Sequence, residues 1–264
     1  MTVADGTGTA TVTVEVADGL AVVTIRRPEV HNALSAQVLA DLGSALSALR
    51  DDEEVGVVVF TGAGDRAFAA GADIGEVRDY TLQTGLDAQI QRLFDEVEAF
   101  PKPTVAAVNG VALGGGCELA MACDIRIAAE TARFGLPETA LAVLPGAGGT
   151  QRLARLVGTG RAVEMILTGR TVDAEEARQM GLVTAVVPGP QLMAEARRVA
   201  DLVLAKGPLA VRLAKLVIRT GMDADQRTGQ VVERLAQALL YTTADKQEGT
   251  TAFLDKRAPE FRGD

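Results

Sequence analysis

Apolar and polar positions divide the first part of the chain into short strands and a helix. Residues 11–16 and 20–25 are rich in β-branched residues and flank Asp18-Gly19, a pair typical of a tight hairpin turn. Behind Ser35, apolar residues recur at helical spacing up to residue 49, and the serine can cap the N-terminus of a helix. The pattern therefore predicts an opening of two strands and one helix.

A second pattern repeats about every fifty residues as an apolar strand, a glycine-rich loop and a helix. Continuous apolar runs of strand length are typical of strands that are covered on both faces. The first copy has its strand, loop and helix at residues 55–60, 61–73 and 86–99. The second copy has them at residues 103–108, 109–116 and 117–121, and a further strand follows at residues 124–128.

The second half of the chain is predicted to be nearly all helical, with one short strand at residues 182–187. Four helices are expected between residues 190 and 256. The sequence thus predicts an α/β fold in three parts: a flexible N-terminal tail at residues 1–10, a core domain at residues 11–195, and a C-terminal helical region at residues 196–264.

Composition narrows the choice of function. The formal net charge is −9 and the pI about 4.8, which argues against nucleic-acid binding and against attachment to anionic lipid. The N-terminal residues lack a basic segment followed by an apolar one, and no stretch approaches the roughly 18 apolar residues of a membrane span. We therefore expect a cytoplasmic protein without nucleic-acid or membrane partners.

The scarcity of histidine and cysteine limits the chemistry. His31 is the single histidine, so a histidine-based triad or a metal site with several histidines is not expected. Cys117 and Cys123 are too few and wrongly spaced for a zinc site, and we interpret them as ordinary buried residues. Acid-base chemistry should therefore depend on carboxylates.

Four motifs, taken together and in order, indicate a family. Taken alone, each glycine-rich loop is interpreted as a tight turn rather than a site, and neither loop matches a nucleotide-binding motif. The motifs are Gly71-Ala72-Asp73-Ile74, Leu113-Gly114-Gly115-Gly116-Cys117-Glu118, Gly135-Leu136-Pro137-Glu138, and Pro145-Gly146-Ala147-Gly148-Gly149-Thr150-Gln151-Arg152. With them, the chain from about residue 11 to its end resembles the enoyl-CoA hydratase/isomerase family, also called the crotonase family.

The resemblance implies a crotonase-like spiral of repeated ββα units, followed by a C-terminal helical trimerisation region. It also implies a homo-oligomer, a trimer or a dimer of trimers. An oxyanion hole would be formed by the backbone N–H groups of Ala72 and Gly115. Small residues suit this role because they let a carbonyl oxygen approach the backbone closely, and a helix N-terminus after the glycines favours negative charge.

Two glutamates would carry the reaction in the resembled family. Glu118 would position and activate water, Glu138 would deliver a proton, and the backbone of Gly146 would help to place the water. Hydration requires one base and one acid, which two carboxylates can provide. Taken without the motifs, both residues read as glutamates favoured by helix N-termini. The substrate would be an acyl-CoA thioester, and neither a metal nor a separate cofactor is expected.

The resemblance also implies contacts to coenzyme A. These candidates are Arg27, Ala33, Ala72, Asp73, Ile74, Gly75, Gly115, Phe253 and Lys256. Arg26 and Arg257 are further basic candidates for its phosphates. Phe253 and Lys256 would reach the nucleotide of a neighbouring subunit, although core packing of Phe253 in an amphipathic helix is an equal alternative. The acyl pocket wall is expected within residues 76–98.

Three readings of the function stay open at this point. Enoyl-CoA hydration, the syn addition of water to a trans-2-enoyl-CoA giving a 3-hydroxyacyl-CoA, is favoured because both glutamates are present. An enoyl-CoA isomerase or another acyl-CoA enzyme of the family is the near alternative, because moving a double bond needs only one carboxylate. A non-catalytic acyl-CoA or RNA binding protein is disfavoured by the acidic charge and by the intact catalytic positions.

Overall fold

The computed structural model describes residues 10–264, and the predicted tail at residues 1–10 lies almost wholly outside them. The strands are β1 (Val12–Ala17), β2 (Leu20–Ile25), β3 (Val57–Gly62), β4 (Ala67–Ala69), β5 (Thr104–Val108), β6 (Val111–Leu113), β7 (Ile125–Ala129), β8 (Arg133–Gly135), β9 (Thr171–Asp173) and β10 (Ala185–Val187). The helices are α1 (Ala36–Asp51), α2 (Ile74–Val77), α3 (Leu82–Asp87), α4 (Gln89–Glu98), α5 (Gly115–Ala122), α6 (Gly149–Val157), α7 (Thr159–Thr168), α8 (Ala174–Gln179), α9 (Leu192–Leu204), α10 (Pro208–Met222), α11 (Gln226–Leu240) and α12 (Ala244–Asp255).

The strands form two sheets that grow together along the chain. The larger sheet has the order β1-β2-β3-β5-β7-β10, and the smaller has β4-β6-β8-β9. Each pair β3–β4, β5–β6 and β7–β8 adds one parallel strand to each sheet. The predicted α/β class and the predicted repetition of strand, loop and helix are therefore confirmed.

The opening of the fold follows its local sequence signals. Asp18 and Gly19 both have positive φ, at 48° and 79°, as a hairpin turn matched to the twist of its strands requires. They join β1 and β2 in an antiparallel pair. The side chain of Ser35 accepts the N–H of Val38 and caps α1, as predicted.

The prediction that residues 61–73 and 109–116 form loops is wrong in part. Each of these segments contains a three-residue strand of the smaller sheet, β4 or β6, and β9 interrupts the half that was predicted as almost all helical. Strands this short show no periodicity in the sequence. Gly110 reveals how tightly the repeats stack, because a Cβ there would collide with the carbonyl of Arg66.

The larger sheet is buried on both faces. Alternating residues of β3 divide between two apolar layers: Val58 and Phe60 join the main core, whereas Val57 and Val59 pack with α9. The division between residues 195 and 196 stays a prediction, and its boundary falls inside α9, whose residues from Leu192 to Ala200 pack on this sheet.

The last helices are covered much less completely than the two sheets. No residue of α10 is buried, and in α11 only Gly229 is. Large apolar side chains are exposed on both helices, among them Leu216, Ile218, Leu235 and Leu239. Within residues 10–264, none of the helices has the length and apolar character needed to cross a membrane.

Candidate active site

Two backbone N–H groups lie side by side where β4 and β6 end. The amide of Leu34 donates to Gly71 O at 2.8 Å, and that of Asp73 donates to Leu34 O at 3.2 Å, so the N–H of Ala72 between them points away from Leu34. Gly115 begins α5, and its N–H has no partner within that helix. A Cβ on Gly115 would lie 3.5 Å from the nitrogen of Ala72. Both donors can therefore face one carbonyl oxygen.

Glycines make this close approach possible. Gly71 and Gly114 have φ of +106° and +49°, which L side chains rarely adopt. A Cβ on Gly71 would lie 3.1 Å from the carbonyl oxygen of Leu113, so the two loops pack backbone against backbone. The glycine-rich loops thus bring the N–H groups together, rather than serving only as turns.

Glu118 lies in the first turn of α5 and is 2% exposed. Its Oε1 accepts the N–H groups of Ala147 and Gly149, both at 2.8 Å. Burial raises the pKa of Glu118, and the N–H groups of Gly149 and Ala147 and the charge of Arg152 oppose that rise. These partners favour the ionised form of a carboxyl group that burial would otherwise protonate.

Glu138 follows β8 and begins a short 3-10 helix, Glu138–Leu141. Burial raises the pKa of Glu138 to about 7, its own backbone N–H opposes the rise, and the charge of Glu118 adds to it. Among the described residues, its buried Oε2 has no hydrogen-bond partner. This carboxyl group can therefore hold a proton near neutral pH.

The two glutamates and the two N–H groups converge on residues 114–118. A Cβ on Gly114 would lie 3.1 Å from Oε1 of Glu138, and Gly114 directly precedes the donor Gly115. A Cβ on Gly149 would lie 2.8 Å from Oε1 of Glu118. The arrangement offers two donors for an oxyanion, one carboxylate held by N–H groups, and one carboxyl group able to hold a proton.

The loop before α6 holds Glu118 through residues that the sequence did not single out. Gly146 is exposed, and the N–H groups that hold Glu118 belong to its neighbours Ala147 and Gly149. Sequence reasoning missed these two roles, although the glycine-rich run beginning at Pro145 was the available signal. The role of Gly146 in placing water stays a prediction.

Five candidates for coenzyme A contacts gather beside Ala72. The side chain of Arg27 donates to the carbonyl of Ala33 at 2.9 Å and lies 3.4 Å from Asp73 Oδ2. Asp73 in turn accepts the N–H of Gly75 at 3.1 Å, and Ile74 is 59% exposed. Arg27 therefore ties the segment before α1 to the segment after β4.

The remaining candidates lie elsewhere. Phe253 on α12 is 82% exposed, so the alternative of core packing within its own chain is wrong. Lys256 follows α12 with φ +56° and is exposed, as is Arg26. Arg257 pairs with Glu248 at 2.6 Å. These residues remain available for contacts outside the chain.

His31 and the cysteines have the structural positions expected of them. His31 is exposed and has φ +53°. Its carbonyl accepts the N–H of Ala70, the residue after β4, at 3.0 Å, and this bond ties the loop of His31 to the end of β4. Cys117 and Cys123 are free and buried. Burial raises the pKa of both thiols to about 12, which makes them inert at neutral pH.

Comparison with known proteins places the chain among acyl-CoA enzymes. A family model described as enoyl-CoA hydratase/isomerase matches residues 15–264. A crotonyl-CoA hydratase of Syntrophomonas wolfei is 46% identical over 92% of this chain and 94% of its own. A short-chain-enoyl-CoA hydratase of Clostridium acetobutylicum is 44% identical over 91% and 93%. A crystal structure of an enoyl-CoA hydratase from Bacillus anthracis, at 43% identity, superposes with a TM-score of 0.93 over 96% of this chain and 100% of the other.

Proposed function

The chain belongs to the enoyl-CoA hydratase/isomerase family and has the crotonase fold, and from this premise we propose that it hydrates a trans-2-enoyl-CoA to the 3-hydroxyacyl-CoA. One observation carries the proposal. Beside the same pair of backbone donors, Oε1 of Glu118 accepts two N–H groups, whereas the buried Oε2 of Glu138 has no partner among the described residues. Hydration requires a base and an acid at the same place, and this pair supplies both.

The proposed reaction uses each group once. Glu118 takes a proton from water as its oxygen bonds to C3, and the electrons of the C2=C3 bond move toward the thioester. The carbonyl oxygen becomes an enolate that the N–H groups of Ala72 and Gly115 stabilise. The enolate then collapses as Glu138 gives its proton to C2. We propose that both carboxylates act from one side of the substrate, so that water adds with syn geometry.

No redox group or metal enters this scheme, because hydration transfers only the elements of water. Coenzyme A is part of the substrate. Arg27, Ala33 and the segment from Ala72 to Gly75 are proposed to contact its pantetheine and phosphates, since they form one surface beside the donor pair. We place the reaction in the cytoplasm, where a chain with two unpaired buried cysteines is not exposed to disulfide formation.

We further propose a homo-oligomer, a trimer or a dimer of trimers, in which the last helices meet other copies. The exposed apolar side chains of α10 and α11 support it, because monomeric proteins rarely leave large apolar patches uncovered. Phe253 and Lys256 would then cover the nucleotide of a neighbour. Removal of residues 245–264 should lower both the oligomer mass and the affinity for coenzyme A. A truncated monomer with unchanged affinity would contradict this part.

A spectroscopic assay with crotonyl-CoA tests the function directly. Relatives named for crotonyl-CoA and short-chain substrates make this four-carbon thioester the first choice, with longer and branched enoyl-CoAs to follow. We expect wild type to remove the enoyl absorbance and Glu118→Gln to lose at least about 100-fold in rate. An isomerase that uses Glu138 alone would tolerate Glu118→Gln, and a binding protein would show no turnover.

A further inference from the structure

Arg152 on α6 is a buried cation within hydrogen-bonding distance of three different groups. Its side chain is 8% exposed. Nη1 donates to the carbonyl of Ala147 at 2.7 Å, Nε to Glu98 at 2.8 Å, and Nη2 to Asp95 at 2.6 Å. Because guanidinium is planar and its donors are fixed in direction, three such partners define its position.

Ala147 connects this cation to the site. Its carbonyl accepts from Arg152, and its N–H donates to Oε1 of Glu118. Gly148, the next residue, has φ +97°, and a Cβ there would collide with the guanidinium of Arg152. The backbone between Pro145 and α6 is thus shaped around Arg152 on one side and around Glu118 on the other.

One anchor of Arg152, Glu98, is held in turn by α10. Glu98 pairs with both Arg152 and Arg219, and Arg219 also reaches Asp124 at 3.0 Å. Lys215 pairs with the other oxygen of Asp124 at 2.7 Å. An unbroken series of ion pairs therefore runs from α10 to the loop that binds Glu118.

We propose that Arg152 is a positioning residue, which fixes the backbone of residues 147–149 so that its N–H groups hold Glu118 against the reacting carbons. Arg152 reaches Glu118 through the backbone of Ala147 and itself touches no reacting atom. Asp95 and Glu98 keep the guanidinium in place. The inference rests on the proposed function, since it takes Glu118 as the group that activates water.

Steady-state hydration of crotonyl-CoA by Arg152→Met tests the inference. Displacing a catalytic group by about 1 Å lowers rates by about 100-fold, so kcat should fall by about 10- to 100-fold. KM should change by less than about threefold, because the substrate is held at Ala72 and Gly115 and not through Glu118. Glu98→Gln, which loosens one anchor, should lower kcat by a smaller factor, about threefold.

Lys215→Met is the matched control, because it removes one buried ion pair of Asp124 and leaves the pairs of Arg219 with Asp124 and Glu98 in place. It should lose comparable stability and keep wild-type kcat. A second readout is the double variant of Glu118→Gln and Arg152→Met. If Arg152 acts through Glu118, the double variant should be no slower than Glu118→Gln alone by more than about twofold. A purely structural role would multiply the two losses.

The outcomes separate the two proposals. Normal hydration by Glu118→Gln would overturn the proposed function. If Glu118→Gln is impaired and folded Arg152→Met keeps kcat within about twofold of wild type, only the positioning role is overturned. Should Arg152→Met not fold, Glu98→Gln decides in its place. An unchanged kcat in Glu98→Gln overturns the inference. The inference is also overturned if the double variant of Glu118→Gln and Glu98→Gln loses the full product of the two single losses.

Discussion

The surroundings of Glu118 and those of Glu138 differ, although each holds one glutamate of the candidate site. Around Glu118, two N–H groups and the nearby charge of Arg152 compensate a negative charge. Around Glu138, one carboxyl oxygen is buried without a partner among residues 10–264, and burial raises the pKa of Glu138 to about 7. Glu118 sits in the first turn of an eight-residue helix, and Glu138 begins a short 3-10 turn.

The assignment of acid and base follows from the hydrogen-bond partners of each glutamate and not from the residue type. Burial raises the pKa of both groups, so burial alone would not separate them. The N–H groups of Ala147 and Gly149 do separate them, because a hydrogen bond donated to a carboxylate favours its charged form. Two carboxyl groups that share a site also titrate as a pair, and the pair carries one proton between them most readily.

The largest expected effect comes from removing either proton-exchanging group. Glu118→Gln and Glu138→Gln should each lower kcat for hydration by about 10²- to 10⁴-fold, with little change in coenzyme A affinity. Because both act on one event, the double variant should lose far less than the product of the single losses. The measurement is kcat for the two single variants and the double variant. A single variant with wild-type activity would show that its glutamate does not exchange the proton assigned to it.

Removing one of the two N–H groups proposed to stabilise the oxyanion should have the next largest effect. Gly115→Pro deletes the N–H at the first position of α5, where helices tolerate proline, and should lower kcat by about 10²- to 10³-fold. Gly115→Ala is the control, because it keeps the N–H while adding a Cβ that would lie 3.2 Å from Ile90 Cδ1. Coenzyme A binding must be retained in both variants. A folded, binding-competent Gly115→Pro protein with normal turnover would contradict the oxyanion assignment.

The pH dependence of activity should report the group with the raised pKa. As proton donor, Glu138 must be protonated, so kcat/KM for hydration should decline as pH rises above about 7, by up to tenfold per pH unit. Profiles from pH 5 to 9 with crotonyl-CoA would measure this decline. A profile that stays flat between pH 6.5 and 8.5 would show that Glu138 is not the donor.

The smallest effect is on stability. The pKa of Glu138 is higher in the folded protein than its ordinary value of 4.5, so the folded state binds this proton more tightly than the unfolded state. The free energy of unfolding should therefore fall as pH rises from about 4.5 to about 7. Glu138→Gln should lack this contribution. Denaturant unfolding of both proteins across that range would test it, and identical pH dependence would argue against it.

Much of the fold could be predicted because its signals are local. The Asp18-Gly19 turn and the cap at Ser35 depend on neighbours in the sequence, and the structure contains both. The strands β4 and β6 could not be predicted, since three residues show no period and their pairing is set by the stacking of successive repeats.

The candidate site also has parts that the sequence could predict and parts that it could not. Glu118 and Glu138 stood out through their motifs, and glycines marked the loops that bring Ala72 and Gly115 together. The role of Arg152 gave no sequence signal, because its partners Asp95 and Glu98 come from a helix more than fifty residues away. The exposure of Phe253 could not be predicted either, because an amphipathic pattern does not tell whether the apolar face packs within the chain or stays exposed.

The smaller sheet sets the spacing of the groups that are proposed to react. Ala72, Gly115 and Glu138 each come within three residues of the ends of β4, β6 and β8, which pair as neighbouring strands of one sheet. Neighbouring strands are held about 4.8 Å apart by their hydrogen bonds, so the spacing of these groups is inherited from the ladder. Helix α3 (Leu82–Asp87) belongs to neither sheet and has no buried residue, so its sequence can change without disturbing that spacing. Selection for a new acyl chain thus has a region in which to act while the reacting groups stay in place.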